Sequence, residues 1–384
     1  MTAEASFSRG LEGVIAAESA LTYIDGQKGI LAYLGIPIEE LTEHSSFEET
    51  AFLLLHQRLP KRAELDNFSQ ELIQHRALPE ALLDLLKRLP RKTAPMALLR
   101  TAVSVLGHLD SNPDDVSTAA LQAKALRLIA QMATLTAAIG RLRKGLEPIA
   151  PTTDLSHAAN FLYMLTGQKP SAEAARVFDV ALILHADHEF PASTFASTVV
   201  ASTLSDLYSS ICAALGALKG PLHGGANEQV IKMITAIGDP SQAESYIKEK
   251  LARKELIMGF GHRQYKTYDP RARILKRYSE RLAQQTHDTR LFQIEEIVEK
   301  TVIEALGGRG IFPNVDFYSG TVYHYLGIEP ELYTPIFAVS RIVGWAAHII
   351  EYLRENRIFR PTTRYIGPPL GHYIPIEQRA QTEQ

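Results

Sequence analysis

Apolar residues recur along most of the chain at the helical period. Residues 65–76 (LDNFSQELIQHR) and 80–88 (EALLDLLKR) alternate apolar and polar faces and end near prolines, which predicts two amphipathic helices. Segment 117–144 is rich in Ala, Leu and Ile with spaced Arg and Lys. Segment 171–187 opens on Ser171, an N-cap candidate, and then turns apolar, which predicts a helix with a buried end. Further helices are predicted over 241–254, 270–286, 291–306 and 335–355. Ser241 and Glu244 stand at capping-box spacing, and Pro270 suits a first helical turn.

Strand signal is weak. The short runs VIAAES, LTYID and GILAYLG within 14–35, broken at Asp25-Gly26, predict a small N-terminal hairpin. A further short strand is expected to include Tyr365 and Ile366. The missing βαβ alternation argues against a doubly wound sheet. The glycine-rich stretch 220–225 and the turn region 327–333 are the best boundaries. They predict a lobe of residues 226–326 inserted into a larger one built from 1–225 and 327–384.

Composition changes this picture little. A chain of 384 residues has room for two lobes. A net charge of −3 gives no pull toward nucleic acid or an anionic membrane surface. No run of about eighteen apolar residues is seen, so no membrane span is expected. The opening MTAEASFSRGLEG lacks the pattern of a signal peptide. A single cysteine, Cys212, excludes an intramolecular disulfide and fits a reducing cytoplasm; it reads as a small buried core residue.

Four stretches carry unusual chemistry: HADHEF (185–190), GPLHGG (220–225), MGFGHRQYKTYDPRA (258–272) and FPNVDFYSG (312–320). His223 sits among glycines just before a predicted helix, whose positive end disfavours imidazolium. It is either a turn-capping histidine or a neutral hydrogen-bond donor to a carbonyl oxygen that becomes enolate-like. His262 is similar, and Arg263, Lys266 and Arg271 after it suit an anionic ligand. Arg273 and Lys276 read as a solvated helix face. Asp316, flanked by Val315 and Phe317, is either a cap or a base of raised pKa. His185, His188 and Glu189 could bind a metal, but core packing for His185 and anion binding for His188 are favoured. Arg341 lies in an apolar helix and requires a carboxylate from protein or substrate. Arg360 follows beside Pro361, beyond that helix.

Two histidines, an aspartate and enough arginines for a dianion suggest condensation of a carbon acid with an oxo acid. With HADHEF-x-AST, KGPLHGGANE, MGFGHRQYKTYDPRA and PNVDFYSG in this order and spacing, the chain resembles citrate synthases in their short bacterial and archaeal form. The resemblance runs from RGLEGVIAAES to FRPTTRYIG. It implies an all-α fold, a cleft between a large and a small lobe, and condensation of acetyl-CoA with oxaloacetate followed by hydrolysis of citryl-CoA. By it, Asp316 is the base, His223 the donor to the thioester oxygen, and His262 the group polarising the ketone. His188, Arg271 and Arg341 match oxaloacetate and citrate ligands, and Arg360 matches one donated across a homodimer interface. The backbone of Ile257, Met258, Gly259, Phe260 and Gly261 matches a loop receiving coenzyme A, with Lys266 near a CoA phosphate. Acetyl-CoA is then a co-substrate, and neither a metal nor a tightly bound cofactor is implied. No NADH inhibition is expected. The alternatives are a 2-methylcitrate synthase using propionyl-CoA, a metal-dependent hydrolase on His185, His188 and Glu189, and a catalytically silent helical scaffold.

Overall fold

The computed structural model describes residues 7–379. The first six residues of the opening read above as lacking a signal peptide, and residues 380–384 of the expected larger lobe, lie outside the described residues. The rest forms sixteen α-helices and one small antiparallel sheet. The predicted helices appear as Arg62–Gln74, Glu80–Arg88, Thr118–Arg143, Ala172–His185, Pro240–Ala252, Pro270–Gln285, Arg290–Leu306 and Tyr333–Tyr352. Ser171 caps its helix, accepting from the Ala174 amide at 3.1 Å. Ser241 does not cap. Pro240 takes the first helical position, and Asp239 before it accepts from the Ser241 amide at 2.8 Å.

The sheet consists of β1 (Thr22–Asp25), β2 (Ile30–Tyr33) and β3 (Ile36–Pro37), with β1 and β2 paired from Thr22–Tyr33 to Asp25–Ile30. VIAAES forms no strand. Tyr365 and Ile366 form none either. They are 75% and 91% exposed and pair with no neighbouring backbone, so nothing holds that stretch extended as a strand. The β1–β2 turn instead supports a distant loop, as the Lys266 amide donates to the Gly26 carbonyl at 2.9 Å.

The core is organised around Tyr333–Tyr352. It packs against Thr118–Arg143, Ala192–Ala201, Phe47–His56, Leu207–Leu218 and Ala172–His185, and Trp345 within it is wholly buried. Each Ile, Val or Phe sealed there stabilises the fold by about 1.5–3 kcal/mol. Contrary to expectation, Pro330–Glu355 is long and apolar enough to cross a membrane by length and composition. Most of it is buried by the protein's own helices. Cys212 also departs from expectation. It is half-buried, with Sγ 3.5 Å from the Arg100 carbonyl, and burial pushes its thiol up to about 11.

Ala226–Ile237, Pro240–Ala252, Pro270–Gln285, Arg290–Leu306 and Val315–Tyr325 pack on one another. Pro270–Gln285 and Val315–Tyr325 also touch Ala172–His185 of the remaining helices. Tyr323 of Val315–Tyr325 lies 6.4 Å from the His185 ring at the end of that helix, and Arg281 of Pro270–Gln285 pairs with Glu173 at its start.

Candidate active site

His223 lies in a turn two residues before the Gly225 cap of Ala226–Ile237. The turn folds tightly on itself, with the Gly224 amide donating to the Leu218 carbonyl at 3.0 Å. A Cβ on Gly224 would stand 2.4 Å from that carbonyl oxygen, so this glycine serves the chain's approach to itself. The imidazole is held from one side. The Ser193 amide donates to Nε2 at 3.3 Å, and Ser193 Oγ lies 2.8 Å from the same nitrogen. Trp345 Nε1 donates to Ser193 Oγ at 3.1 Å. Nε2 is thus an acceptor, and the ring proton sits on Nδ1. Burial, then the Arg341 charge, lowers the His223 pKa to about 4.

His262 has the opposite tautomer. Its Nδ1 accepts from the amides of Gln264 at 3.0 Å and Tyr265 at 3.3 Å, so Nε2 carries the proton. Burial, followed by Arg271, lowers its pKa to about 4. The His188 ring is 5.1 Å away, with Nε2 3.2 Å from the Tyr265 hydroxyl. Burial, then Arg271 and His262, holds His188 well below the usual imidazole range.

Both arginines are buried, Arg271 at 2% and Arg341 at 1% exposure. Asp269 clasps Arg271 through Nε at 3.0 Å and Nη2 at 2.7 Å, which leaves Nη1 without an acceptor among the described residues. Asp269 also accepts from the Val315 amide at 3.3 Å, tying the Arg271 helix to the start of the Asp316 helix. Arg341 donates from Nε to the His185 carbonyl at 2.7 Å and lies 4.6 Å over the Phe337 ring. Among the described residues no carboxylate is within ion-pairing distance of it, and burial lowers its pKa to about 10.

Asp316 stands in the first turn of Val315–Tyr325, capped by Asn314, whose Oδ1 accepts from the Asp316 amide at 3.0 Å. No described residue donates a hydrogen bond to its carboxylate. Burial raises its pKa to about 6, against the opposing pull of Arg271 and Arg341.

Residues 257–261 are stitched to this cap. The Asn314 amide donates to the Gly259 carbonyl at 2.9 Å, Asn314 Nδ2 to the Gly261 carbonyl at 2.9 Å, and the Gly261 amide to the Phe312 carbonyl at 2.8 Å. Gly259 has φ +83°, and a Cβ there would meet Val230 and Phe317 below 3 Å. Met258 lies beside buried Ile257 and Phe260, and exposed Lys266 donates to the Arg263 carbonyl at 3.1 Å.

Some expected residues stand elsewhere. Arg360 is exposed and, among the described residues, donates to the Pro361 carbonyl alone, at 2.9 Å. His185 packs against Phe337, with Nδ1 2.7 Å from the Ala181 carbonyl. Among the described residues no three His, Cys, Asp or Glu side chains gather to hold a metal ion. Lys276 is not a solvated residue but an ion-pair partner of Glu299, and the Arg273 guanidinium lies 5.0 Å over the Tyr268 ring. Ser193, Trp345, Tyr265, Asp269 and Asn314 were not singled out in sequence. Ser193 lies in the quoted AST stretch and Asp269 directly before Pro270, the signals that could have marked them.

The site therefore joins a carboxylate of raised basicity, two neutral imidazoles each with one protonated ring nitrogen, and two buried cations.

The family model described as citrate synthase, C-terminal domain, matches residues 10–362. The chain is 51% identical to citrate synthase of Deinococcus radiodurans over 97% of its length and 99% of the relative's. It is 44% identical to 2-methylcitrate synthase of Mycobacterium tuberculosis over 94% of this chain and 90% of that one. Among solved structures, the ternary complex of Thermoplasma acidophilum citrate synthase with carboxymethyl coenzyme A and oxaloacetate superposes with a TM-score of 0.93. That structure is 38% identical and covers 97% of this chain and 100% of its own.

The hydrogen bonds fix a tautomer for each imidazole. Ring-nitrogen NMR of the labelled protein is expected to show His223 protonated on Nδ1 and His262 on Nε2, both neutral from pH 6 to 8. Titration of either ring near pH 6.5 would contradict the arrangement.

Proposed function

The chain belongs to the citrate synthase family, and we propose that it uses this site for the condensation of acetyl-CoA with oxaloacetate and the hydrolysis of citryl-CoA to citrate and CoA. One observation carries the site reading: the Asp316 carboxylate, to which no described residue donates a hydrogen bond, lies in the field of the buried Arg271 and Arg341, the same two guanidinium groups that act on the neutral His262 and His223.

Asp316 takes a proton from the acetyl methyl group. As the carbonyl oxygen gains charge, His223 donates to it from Nδ1. A neutral donor matches an enolate better than an imidazolium would, because its N–H is a weak acid like the enol itself, so the hydrogen bond strengthens while the proton stays on the ring. Such a donor supplies about 2.7–4 kcal/mol in the transition state. The nucleophilic carbon then attacks the oxaloacetate ketone, His262 Nε2 hydrogen-bonding to that oxygen as it gains charge, and the proton that Asp316 removed returns to the product, which leaves Asp316 ionised and both imidazoles neutral. Water cleaves the citryl thioester, giving citrate and CoA.

Oxaloacetate is a dianion. His188, Nη1 of Arg271, and Arg341, neither of the latter two paired there with a carboxylate among the described residues, form its proposed seat. The main chain of residues 257–261 receives CoA, with Lys266 beside a phosphate. CoA enters as co-substrate, with no tightly bound cofactor. Residues 226–326 act as the small lobe and close over the cleft, hinged at 220–225 and 327–333, to exclude water. The single cysteine supports a cytoplasmic location.

A homodimer completes the site. Residues 356–379 form no helix or strand apart from Ile376–Gln378, and Ile358, Tyr365, Ile366, Leu370 and Tyr373 on them are more than half exposed. A second copy covers these side chains and brings Arg360 to the neighbouring pocket.

These assignments are tested as follows. CoA release with oxaloacetate and EDTA present is expected to be much faster from acetyl-CoA than from propionyl-CoA. Faster release from propionyl-CoA makes the chain a 2-methylcitrate synthase, the distinction resting on one methylene worth about 1–3 kcal/mol. No release from either, with oxaloacetate present, rejects the condensation. Second, kcat/KM for acetyl-CoA should fall tenfold per pH unit below about pH 6, because Asp316 must be ionised and protonation removes the base. Asp316→Asn should abolish exchange of the acetyl methyl protons, and persistent exchange excludes Asp316 as the base. Third, mixing inactive Asp316→Asn and Arg360→Ala subunits should regain turnover, since one pocket of each mixed dimer is intact. No recovery after subunit exchange places Arg360 outside the active site.

A further inference from the structure

Behind the pocket, a second set of buried polar groups takes no direct part in the chemistry described above. Glu299 projects from Arg290–Leu306 and is 7% exposed. Its carboxylate accepts from three side chains on three different segments. The Tyr268 hydroxyl donates to Oε1 at 2.5 Å, from the loop that carries His262. Lys276 Nζ donates to Oε2 at 2.5 Å, from the helix that opens with Pro270 and Arg271. The Tyr318 hydroxyl also donates to Oε2, from the helix that carries Asp316 two residues earlier.

One turn away on the same face, Glu295 accepts from Thr321 at 2.8 Å and from Ser279 at 3.2 Å, the same two helices again. The two carboxylates have different characters. Glu295 is fully buried with no cation within ion-pairing distance among the described residues, and burial holds its pKa well above the usual carboxylate range against the more distant pull of Lys276. Glu299 has Lys276 as an ion partner. Burial raises both tyrosines, Tyr268 and Tyr318, far above their ordinary pKa, so each stays a hydroxyl donor.

We propose that Glu299 is a positioning residue for the condensation, its carboxylate fixing the Asp316 helix against the His262 loop and the Arg271 helix. This inference rests on the roles given above to Asp316, His262 and Arg271. The geometry makes Glu299 the point where the side that holds oxaloacetate meets the side that carries the base. A salt bridge without this connectivity would need only Lys276. The two tyrosines draw the loop and the second helix to the same carboxylate. Arg271 itself is clasped by Asp269, so loosening Glu299 changes the distance between base and acceptor more than it changes oxaloacetate binding.

The test is Glu299→Gln, with the double variant Tyr268→Phe/Tyr318→Phe as an independent probe that leaves the Lys276 ion pair in place. Both are compared with wild type at a temperature where circular dichroism shows them folded. The expected result is a fall in kcat of about 10- to 100-fold, the scale of a misplacement near 1 Å. KM for oxaloacetate should stay within about threefold, a split that loss of folded protein does not produce. If Glu299→Gln does not fold, the tyrosine pair decides by the same criterion. An unchanged kcat, or a fall matched by an equal rise in KM for oxaloacetate, overturns the inference. Absence of oxaloacetate-dependent CoA release from the wild type rejects the functional reading itself, so the two failures are told apart.

Discussion

Two guanidinium groups lie sealed from water within each other's field, and among the described residues only Arg271 has a carboxylate clasped to it. Burying a charge costs several kcal/mol unless partners replace its hydration. Arg341 bears that cost visibly, through a pKa lowered to about 10, with one carbonyl and one aromatic ring as its direct partners. The surplus positive charge gives the site its character. After burial, the arginines are the main influence pressing His188, His223 and His262 toward the neutral form. The same surplus is what a dianion would neutralise, so proposed substrate binding and imidazole neutrality come from one arrangement.

Such a pocket needs a stiff frame, and Asp187 supplies much of it. It is wholly buried next to His188 and accepts from Thr22 at 2.5 Å and from His348 at 3.0 Å. Burial pushes its pKa up, but His348, Arg341 and Thr22 together hold it below the usual carboxylate value. His348 lies on the same helix as Arg341, and Thr22 begins the sheet. The Tyr33 hydroxyl, from the sheet's middle strand, reaches the Asp187 carbonyl at 2.8 Å. The small sheet thus contributes position rather than layer architecture. It braces the end of the Ala172–His185 helix from one side while its β1–β2 turn holds the Lys266 loop.

What the sequence disclosed follows from how local each signal is. Helix existence was legible because apolar periodicity and caps such as Ser171 act within one or two turns. The cap at Asp239 was misread because Ser241 and Glu244 imitate the spacing of a capping box, while the proline before them sets the true start. Tyr365 and Ile366 have strand-like composition, but a strand needs a partner backbone, and no short window of sequence reveals one. His223 and His262 stood out because glycine and proline around an imidazole are unusual in a helical chain. Ser193, Trp345, Asp269 and Glu299 did not. A serine in an apolar helix start and a glutamate on an amphipathic face look the same whether they meet water or a histidine. Lys276 read as solvated for that reason, since its partner lies 23 residues onward on another helix.

The proposed base shows how these influences are balanced. Asp316 lies in the first turn of its helix, where the N-terminal dipole favours the carboxylate, and it feels two guanidinium groups that favour it further. Either influence alone would make it a weaker base than an ordinary aspartate. Burial acts the other way and prevails, giving a pKa of about 6. A higher value would strengthen the base but leave less of it ionised near pH 7. A lower value would keep it ionised but less able to take a carbon-bound proton. The value reached needs both the apolar enclosure by Phe317 and its neighbours and the nearby cations that moderate it. In this site the groups placed to hold the acceptor also tune the group placed to generate the nucleophile.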